Sequence, residues 1–122
     1  MDKKKLILIV DDDADVCQML KEFLEGKGFE VSAAPDGRKA LELAAEIGPD
    51  LVITDLLLPK EHGIDVMREI KDRFLTPVIA ISGIYKKEEI ETKLDGIYLN
   101  GFYEKPLNLD ALFHGIQAVF NE

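Results

Sequence analysis

Three short runs along the chain are apolar at nearly every position, and each run leads directly into polar residues. The runs are residues 6–10, 51–54 and 78–81, and they lead into Asp11, Asp55 and Ser82. Runs of this length that are rich in Val and Ile are typical of strands buried on both faces of a parallel sheet. Because such strands end at one edge of the sheet, where α/β proteins bind ligands, the pattern predicts a single shared site.

The segments between these runs carry apolar residues at the spacing of an amphipathic helix. The stripes lie within residues 16–24, 40–47, 64–74 and 109–120. A weaker stripe within residues 86–94, anchored only by Ile90 and Leu94, predicts a mostly exposed helix. We also predict a second strand over residues 29–34 and a short fifth strand over residues 102–104. Strand and helix therefore alternate along the whole chain.

This alternation predicts βαβ units with right-handed crossovers. The predicted second strand carries Glu30 and Ser32, and the predicted fifth strand is short and charged, so both should lie at the edges of the sheet. The predicted fold class is α/β: a three-layer (βα)5 flavodoxin-like sandwich with a parallel five-stranded sheet of order 2-1-3-4-5. Because strands one and three are neighbours in this order, Asp11, Asp12 and Asp55 should come together.

Size and charge narrow the possible functions. The chain has 122 residues, enough to bury one core, and we predict a single domain over residues 1–122. A net charge of -9 argues against a nucleic-acid partner, because phosphates are bound by Lys and Arg. The sequence has neither a signal peptide nor an apolar stretch of about 20 residues, so we expect a cytoplasmic protein without a membrane partner. Cys17 is the only cysteine and should pack within a helix.

Several carboxylates at one rim repel one another, by about 4 kcal/mol for a pair about 4 Å apart at an effective dielectric constant near 20. A divalent cation would relieve this repulsion, and a ligand set made of oxygens favours Mg²⁺ or Mn²⁺ over zinc. Magnesium is commonly bound by one or two carboxylates together with phosphate oxygens. The predicted rim therefore suits phosphoryl chemistry.

Other polar residues near the rim have more than one interpretation. Lys105 follows the fifth strand and should neutralise a carboxylate or an added phosphoryl group. Ser82 could donate to a phosphoryl oxygen or satisfy local backbone groups. Asp13 and Asp15 open a predicted helix, so we interpret them as residues that cap its free N–H groups and meet its positive dipole end.

Four motifs occur in order, each at the end of a predicted strand. They are Val10-Asp11-Asp12-Asp13, then Asp55-Leu56-Leu57-Leu58-Pro59 with Gly63, then Ser82-Gly83, and finally Lys105-Pro106. Together they resemble the receiver domain of two-component response regulators, over essentially the whole chain. The resemblance implies that Asp55 accepts a phosphoryl group from the phosphohistidine of a histidine kinase or phosphotransfer protein. It also implies a site for Mg²⁺, or Mn²⁺, formed by Asp11, Asp12, Asp55 and the backbone carbonyl of Leu57.

The resemblance further implies a switch. Lys105 would pair with the phosphoryl group, Ser82 would close on it, and Phe102 would be the aromatic switch residue. Phosphorylation would then shift the populations of the fourth helix, fifth strand and fifth helix. We expect a phosphoacceptor that assists its own phosphorylation and dephosphorylation rather than an enzyme. It would be a monomer or a phosphorylation-dependent homodimer, and the sequence does not identify its downstream protein target or linked effector domain.

Some positions depart from the pattern of this family. Gly83 stands where alanine is usual and should make the following loop more flexible. His62 replaces the usual Asp or Asn of a turn, and Phe102 lacks the hydroxyl of the commoner tyrosine. The loop at residues 73–76 is shorter than usual, and residues 95–101 are not assigned to an element. The predicted output through this face is therefore the least specific part of the resemblance.

Two other interpretations fit parts of the sequence. The first motif also suits a haloacid-dehalogenase-like phosphatase, with Asp11 as nucleophile and Asp13 as acid/base. That interpretation leaves Asp55 and Pro59 without a role, finds no acidic motif after Lys105, and has little room for a cap in 122 residues. The other interpretation is a non-phosphorylated interaction module of the same fold. It is disfavoured because the acceptor, acidic pair, hydroxyl and lysine are all present.

Overall fold

The protein forms one parallel sheet in the computed structural model, which describes residues 4–58, 63–86, 88–90 and 99–121. The strands are β1 (Leu6–Val10), β2 (Glu30–Ala34), β3 (Leu51–Asp55), β4 (Val78–Ser82) and β5 (Gly101–Glu104). They pair in parallel in the order β2-β1-β3-β4-β5. This order confirms the predicted fold class. Asp55 and Ser82 are the last residues of their strands rather than the first residues of the loops.

Four helices are described with both ends, and each covers a predicted apolar stripe. They are α1 (Ala14–Gly26), α2 (Gly37–Ile47), α3 (Gly63–Phe74) and α4 (Leu109–Phe120). Of the helix predicted within residues 86–94, the structure describes Lys86, which is not helical, and residues 88–90, which are; the Ile90 N–H donates to the Lys86 carbonyl at 3.0 Å. Leu94, His62 and residues 95–98 lie outside the described residues.

Polar side chains begin three of these helices. Asp13, Asp36 and Asn108 each accept hydrogen bonds from backbone N–H groups of the first turn of α1, α2 and α4, respectively. These groups have no partner within the helix, so a side-chain oxygen at this position stabilises the helix start. The predicted capping role of Asp13 is confirmed: its Oδ1 accepts from the N–H groups of Asp15 and Val16.

The helices cover the sheet from both sides and create two hydrophobic cores. The α2–α3 core contains Leu8, Val10, Val52, Val78 and Ala80 of the sheet, packed against α2 and α3. The α1–α4 core contains the alternate strand residues Ile7, Ile9, Ile53, Ile79 and Ile81, packed against α1 and α4. Every residue of β3 and β4 is buried, whereas β2 and β5 are partly exposed, as expected for central and edge strands. No helix among the described residues is long and apolar enough to cross a bilayer.

Candidate functional site

The central feature of the carboxyl edge is a pair of buried aspartates. Val10 of β1 pairs with Thr54 of β3, so the residues that follow them, Asp11 and Asp55, emerge side by side. The side chain of Asp11 is 0% exposed and that of Asp55 is 8% exposed. The strand order thus brings these two carboxylates together, as the sequence predicted.

Lys105 bridges the two aspartates. Its Nζ donates to Asp11 Oδ2 and to Asp55 Oδ2, each at 2.8 Å. The Lys105 backbone N–H donates to the Ser82 carbonyl at 2.8 Å, which fixes the start of the loop after β5 against the end of β4. Since only 22% of its side chain is exposed, Lys105 forms a largely desolvated ion-pair cluster with both carboxylates.

The protonation equilibria of this cluster reflect burial and pairing. Burial raises the pKa of the Asp11 carboxyl, although hydrogen bonds from Lys105 and from the Asp13 N–H favour its ionised form. Burial acts to lower the pKa of the Lys105 ammonium, but hydrogen bonds to Asp11 and Asp55 outweigh burial, so its pKa is raised. Lys105 therefore stays charged at neutral pH.

One ammonium does not neutralise all the carboxylates at this edge. Carboxylate oxygens of Asp11, Asp12 and Asp55 lie within 4.8 Å of one another, and Asp12 is exposed while the other two are buried. A cluster of oxygens open to solvent on one side fits a hard divalent cation such as Mg²⁺ or Mn²⁺. The donor set therefore fits the predicted metal. Leu57 lies in the loop after β3 and its N–H donates to Asp55 Oδ1 at 2.9 Å, while the role of its carbonyl stays a prediction.

Gly63, the first residue of α3, lies very close to the end of β3. A Cβ atom at position 63 would lie 2.5 Å from Leu56 Cα and 2.6 Å from the Asp55 carbonyl oxygen. The Gly63 N–H donates to the Leu56 carbonyl at 3.2 Å. Only glycine permits this approach, so the glycine of the second motif positions α3 directly against the end of β3.

Ser82 is 1% exposed, and its Oγ accepts hydrogen bonds from the N–H groups of Ile84 at 3.1 Å and Tyr85 at 3.0 Å. The prediction that this hydroxyl satisfies local backbone groups is therefore confirmed. A serine hydroxyl also carries one donor, which these two bonds do not use. A Cβ at Gly83 would make only ordinary contact with Lys105, at 3.7 Å, so the alanine usual at this position would also fit.

Two aromatic residues lie on the same side of the sheet as Ser82. Phe102 of β5 pairs with Ala80 of β4, and its half-buried side chain packs against the α2–α3 core. Tyr85, in the loop after Ser82, is also half-buried and packs against this core. The sequence interpretation singled out Phe102 but missed Tyr85. The feature of the sequence that could have identified Tyr85 is an aromatic residue three positions after Ser82.

Asp13 and Cys17 have structural roles near the site. Asp13 is exposed, and its Oδ1 is bound to two N–H groups of α1. That role gives no support to a phosphatase in which Asp13 would be the acid/base. Cys17 packs against the α1–α4 core and its Sγ donates to the Asp11 carbonyl at 3.4 Å. Burial raises the pKa of this thiol, as suits the predicted packing role.

Comparison with known proteins identifies relatives of this arrangement. A family model described as the response regulator receiver domain matches residues 7–117. The transcriptional regulatory protein CpxR of Escherichia coli (strain K12) is 36% identical over 115 residues, which are 93% of this chain and 48% of CpxR. The DNA-binding response regulator MtrA of Mycobacterium tuberculosis is 40% identical over 79 residues, which are 65% of this chain and 35% of MtrA.

A solved structure shows the same fold. The crystal structure of a two-component response regulator from Clostridium difficile superimposes with a TM-score of 0.90, at 28% identity and with 98% of each chain covered. The present chain spans about half the length of CpxR. The family match covers most of the chain and includes Asp11, Asp12, Asp55, Ser82 and Lys105. The chain therefore belongs to the receiver-domain family of two-component response regulators.

Proposed function

We propose that this chain, over residues 1–122, is a single receiver domain that works as a phosphorylation-dependent switch. Asp55 accepts a phosphoryl group from the phosphohistidine of a histidine kinase or phosphotransfer protein. The observation that carries this proposal is the pair of 2.8 Å hydrogen bonds from Lys105 Nζ to Asp11 and Asp55. A fixed cation beside a carboxylate offsets the negative charge of an incoming phosphoryl group.

Exposure distinguishes Asp55 from Asp11 as the acceptor. The side chain of Asp11 is 0% exposed, which leaves no surface for an incoming phosphoryl donor to contact. The side chain of Asp55 is 8% exposed, so of these two buried carboxylates it is the one that solvent contacts. In the proposed transfer, a carboxylate oxygen of Asp55 bonds to phosphorus while the phosphorus–nitrogen bond to the donor histidine breaks. The electron pair of that bond leaves with the imidazole, and Asp55 becomes an acyl phosphate.

Each neighbouring residue has a proposed part in this transfer. Lys105 holds a positive charge beside the phosphoryl oxygens. Asp11, Asp12 and Asp55 would hold Mg²⁺, or Mn²⁺, with the Leu57 carbonyl as a further ligand. When bound, the cation would supply further neutralisation of the phosphoryl charge and orientation of the reacting groups. The chain is thus a phosphoacceptor that assists its own phosphorylation and dephosphorylation, not an enzyme acting on other molecules.

The proposed output is a change in partner binding. The phosphoryl group adds a charge of about -1.5 to -2 and new hydrogen-bond acceptors. Ser82 donates its free O–H to a phosphoryl oxygen. Phe102 of β5, the predicted switch residue, then changes its position on the α2–α3 core. The downstream protein target or linked effector domain is unassigned, and the domain is a monomer or a phosphorylation-dependent homodimer. The cytoplasmic location predicted from the sequence stays a prediction.

We also propose that residues 1–122 do not themselves bind nucleic acid. Their net charge of -9 disfavours contact with phosphates and favours partners with a basic surface. The DNA binding named for MtrA belongs to a protein of which the matched segment covers only 35%. It therefore gives no role to the corresponding residues of this chain.

Phosphorylation by acetyl phosphate with Mg²⁺, followed by intact-protein mass spectrometry, tests the acceptor. Wild type should gain one phosphoryl group, and Asp55→Asn should gain none because the attacking carboxylate is gone. Asp13→Asn is a matched control: it removes one negative charge at the same edge, and asparagine still caps α1. It should be labelled like wild type.

Labelling of Asp55→Asn to the extent of wild type would contradict the receiver mechanism. Loss of labelling in Asp11→Asn, with labelling retained in Asp55→Asn, would instead favour the phosphatase interpretation. If neither wild type nor any variant were labelled, the non-phosphorylated interaction module would be the better description.

A further inference from the structure

The hydroxyl of Ser82 is attached to the backbone of the loop that follows it. Its Oγ accepts from the N–H groups of Ile84 and Tyr85 at 3.1 and 3.0 Å. The main chain of Ser82 is held on the sheet, because its carbonyl accepts from the Lys105 N–H at 2.8 Å. Rotation of the Ser82 side chain therefore moves an oxygen to which two loop amides are bound, while the strand itself stays in place.

Tyr85 places a large side chain at the end of this connection. Its amide is bound to Ser82 Oγ, and its half-buried ring packs against the α2–α3 core. Phe102 packs against the same core but has no polar side-chain atom that could be held by Ser82. Of these two aromatic residues, Tyr85 is the one joined to the hydroxyl by a hydrogen bond.

We infer that Tyr85 transmits occupation of Asp55 to the surface of this domain. The inference rests on the proposed function and names its output residue. When Ser82 donates its O–H to a phosphoryl oxygen, its Oγ keeps both loop amides and carries Ile84 and Tyr85 toward the site. The Tyr85 ring then changes its position on the α2–α3 core. Phe102, which packs on the same core, moves in turn because the space around its own ring has changed.

The hydrogen-bonding capacity of serine supports this order of events. A hydroxyl has one donor and two acceptor lone pairs, so donation to a phosphoryl oxygen does not require release of the two amides. Releasing them would leave N–H groups without their acceptor, which is unfavourable. Gly83 lies between Ser82 and the two amides, and glycine restricts the backbone less than any other residue. The loop therefore has a flexible joint where it must follow the hydroxyl.

Fluorotyrosine labelling with ¹⁹F NMR tests the inference. The chain has only three tyrosines, Tyr85, Tyr98 and Tyr103, whose resonances are assigned with single Tyr→Phe variants. Mg²⁺ and beryllofluoride serve as the phosphoryl mimic, and the bound fluoride has its own ¹⁹F signal that reports occupancy. Tyr103 packs against the α1–α4 core on the opposite side of the sheet and is an internal control.

On addition of beryllofluoride, the Tyr85 resonance should shift more than that of Tyr103. The Tyr85 shift should persist in Phe102→Leu and in Ser82→Thr, which keeps a hydroxyl. It should be lost in Ser82→Ala when the bound-fluoride signal is matched to that of wild type. Hydrogen exchange of the Tyr85 amide should stay slow in the occupied wild type, because the amide keeps its acceptor.

Other results would overturn the inference. An unshifted Tyr85 resonance beside a strong bound-fluoride signal would show that the site is occupied without moving this loop. A shift that survives in Ser82→Ala, or that disappears in Phe102→Leu, would assign the transmission to another residue. Fast exchange of the occupied Tyr85 amide would mean that Ser82 releases the loop. Absence of any bound-fluoride signal in wild type would defeat the proposed function itself and the inference with it.

Discussion

The two edges of the sheet carry similar polar side chains, but these side chains have different functions. At the amino edge, Asp50 accepts from the Leu6 N–H at 2.8 Å and Asn100 accepts from the Val78 N–H at 3.0 Å. These bonds complete the backbone pairing where strands begin. At the carboxyl edge, Asp55 lies buried beside a second carboxylate. The amino edge thus stabilises the fold, whereas the carboxyl edge keeps like charges close together, which costs stability and prepares the site for a ligand.

Two lysines show the same contrast. Lys27 is exposed, and its Nζ lies 4.9 Å from the centre of the Phe113 ring and 5.5 Å from that of Phe23. Lys105 is largely buried and holds two carboxylates at 2.8 Å. An exposed cation over an aromatic ring contributes modestly to the stability of the fold. Removing a buried cation is far more costly, because its carboxylate partners are left buried without a counter-charge.

Lys105→Met should give the largest loss of stability. It leaves Asp11 and Asp55 buried without their cation, which should lower the free energy of unfolding by on the order of 3 kcal/mol. Lys27→Met removes the same charge near the amino edge and should cost only about 0.5–1 kcal/mol. Urea unfolding at neutral pH without divalent cations measures both values. Equal losses of unfolding free energy in the two variants would show that the ion-pair cluster at the carboxyl edge contributes no more to stability than an exposed lysine.

Gly63→Ala should be the next most disruptive change. The new Cβ would collide with backbone atoms of Leu56 and Asp55, so α3 must move away from β3 at a cost of about 1–3 kcal/mol. Phosphorylation by acetyl phosphate should weaken as well, because the loop after Asp55 moves. Gly26→Ala is the control: no atom lies within 4 Å of its added Cβ, and alanine in a helix should gain about 0.5–1 kcal/mol. A harmless Gly63→Ala would contradict the close approach.

Mg²⁺ should stabilise the folded domain through the carboxyl edge. At ten times the dissociation constant, a cation that binds only the folded state adds about 1.4 kcal/mol, seen as a higher Tm. Asp12→Asn should reduce this increment because it removes one of the three carboxylates. Asp50→Asn removes an equal charge at the amino edge and should leave the increment unchanged. If Tm did not respond to millimolar Mg²⁺ in wild type, the metal site would be in doubt.

Leu75→Gly should produce a small gain. Leu75 directly follows α3 with φ 54° and is 86% exposed, so its side chain adds backbone strain but little burial. Glycine at this left-handed position should stabilise the protein by about 0.5–1 kcal/mol. Gly48 directly follows α2 with φ 57° and has open space around an added Cβ, so Gly48→Ala should lower the free energy of unfolding by a similar amount. Thermal unfolding of the two variants would show opposite shifts in Tm, and shifts of the same sign would refute the argument.

Much of the fold could be predicted because apolar runs and apolar stripes have different periods. The runs that became β1, β3 and β4 have few polar interruptions, and their burial on both faces leaves little choice of position in the sheet. The charged and short runs became the edge strands β2 and β5. The boundaries were less determined by the sequence: β2 begins one residue later than predicted and β5 one residue earlier, because pairing with the neighbouring strand sets where each strand begins.

By itself, the sequence determined which residues meet at the carboxyl edge, because strand order alone places the ends of β1 and β3 together. It could not decide that Lys105 would contact both aspartates, since that depends on side-chain reach and on burial. Nor could it decide between the two roles of Ser82, whose hydroxyl is bound by Ile84 and Tyr85. Periodicity specifies which face a residue occupies, whereas only the folded chain determines which donor reaches which acceptor.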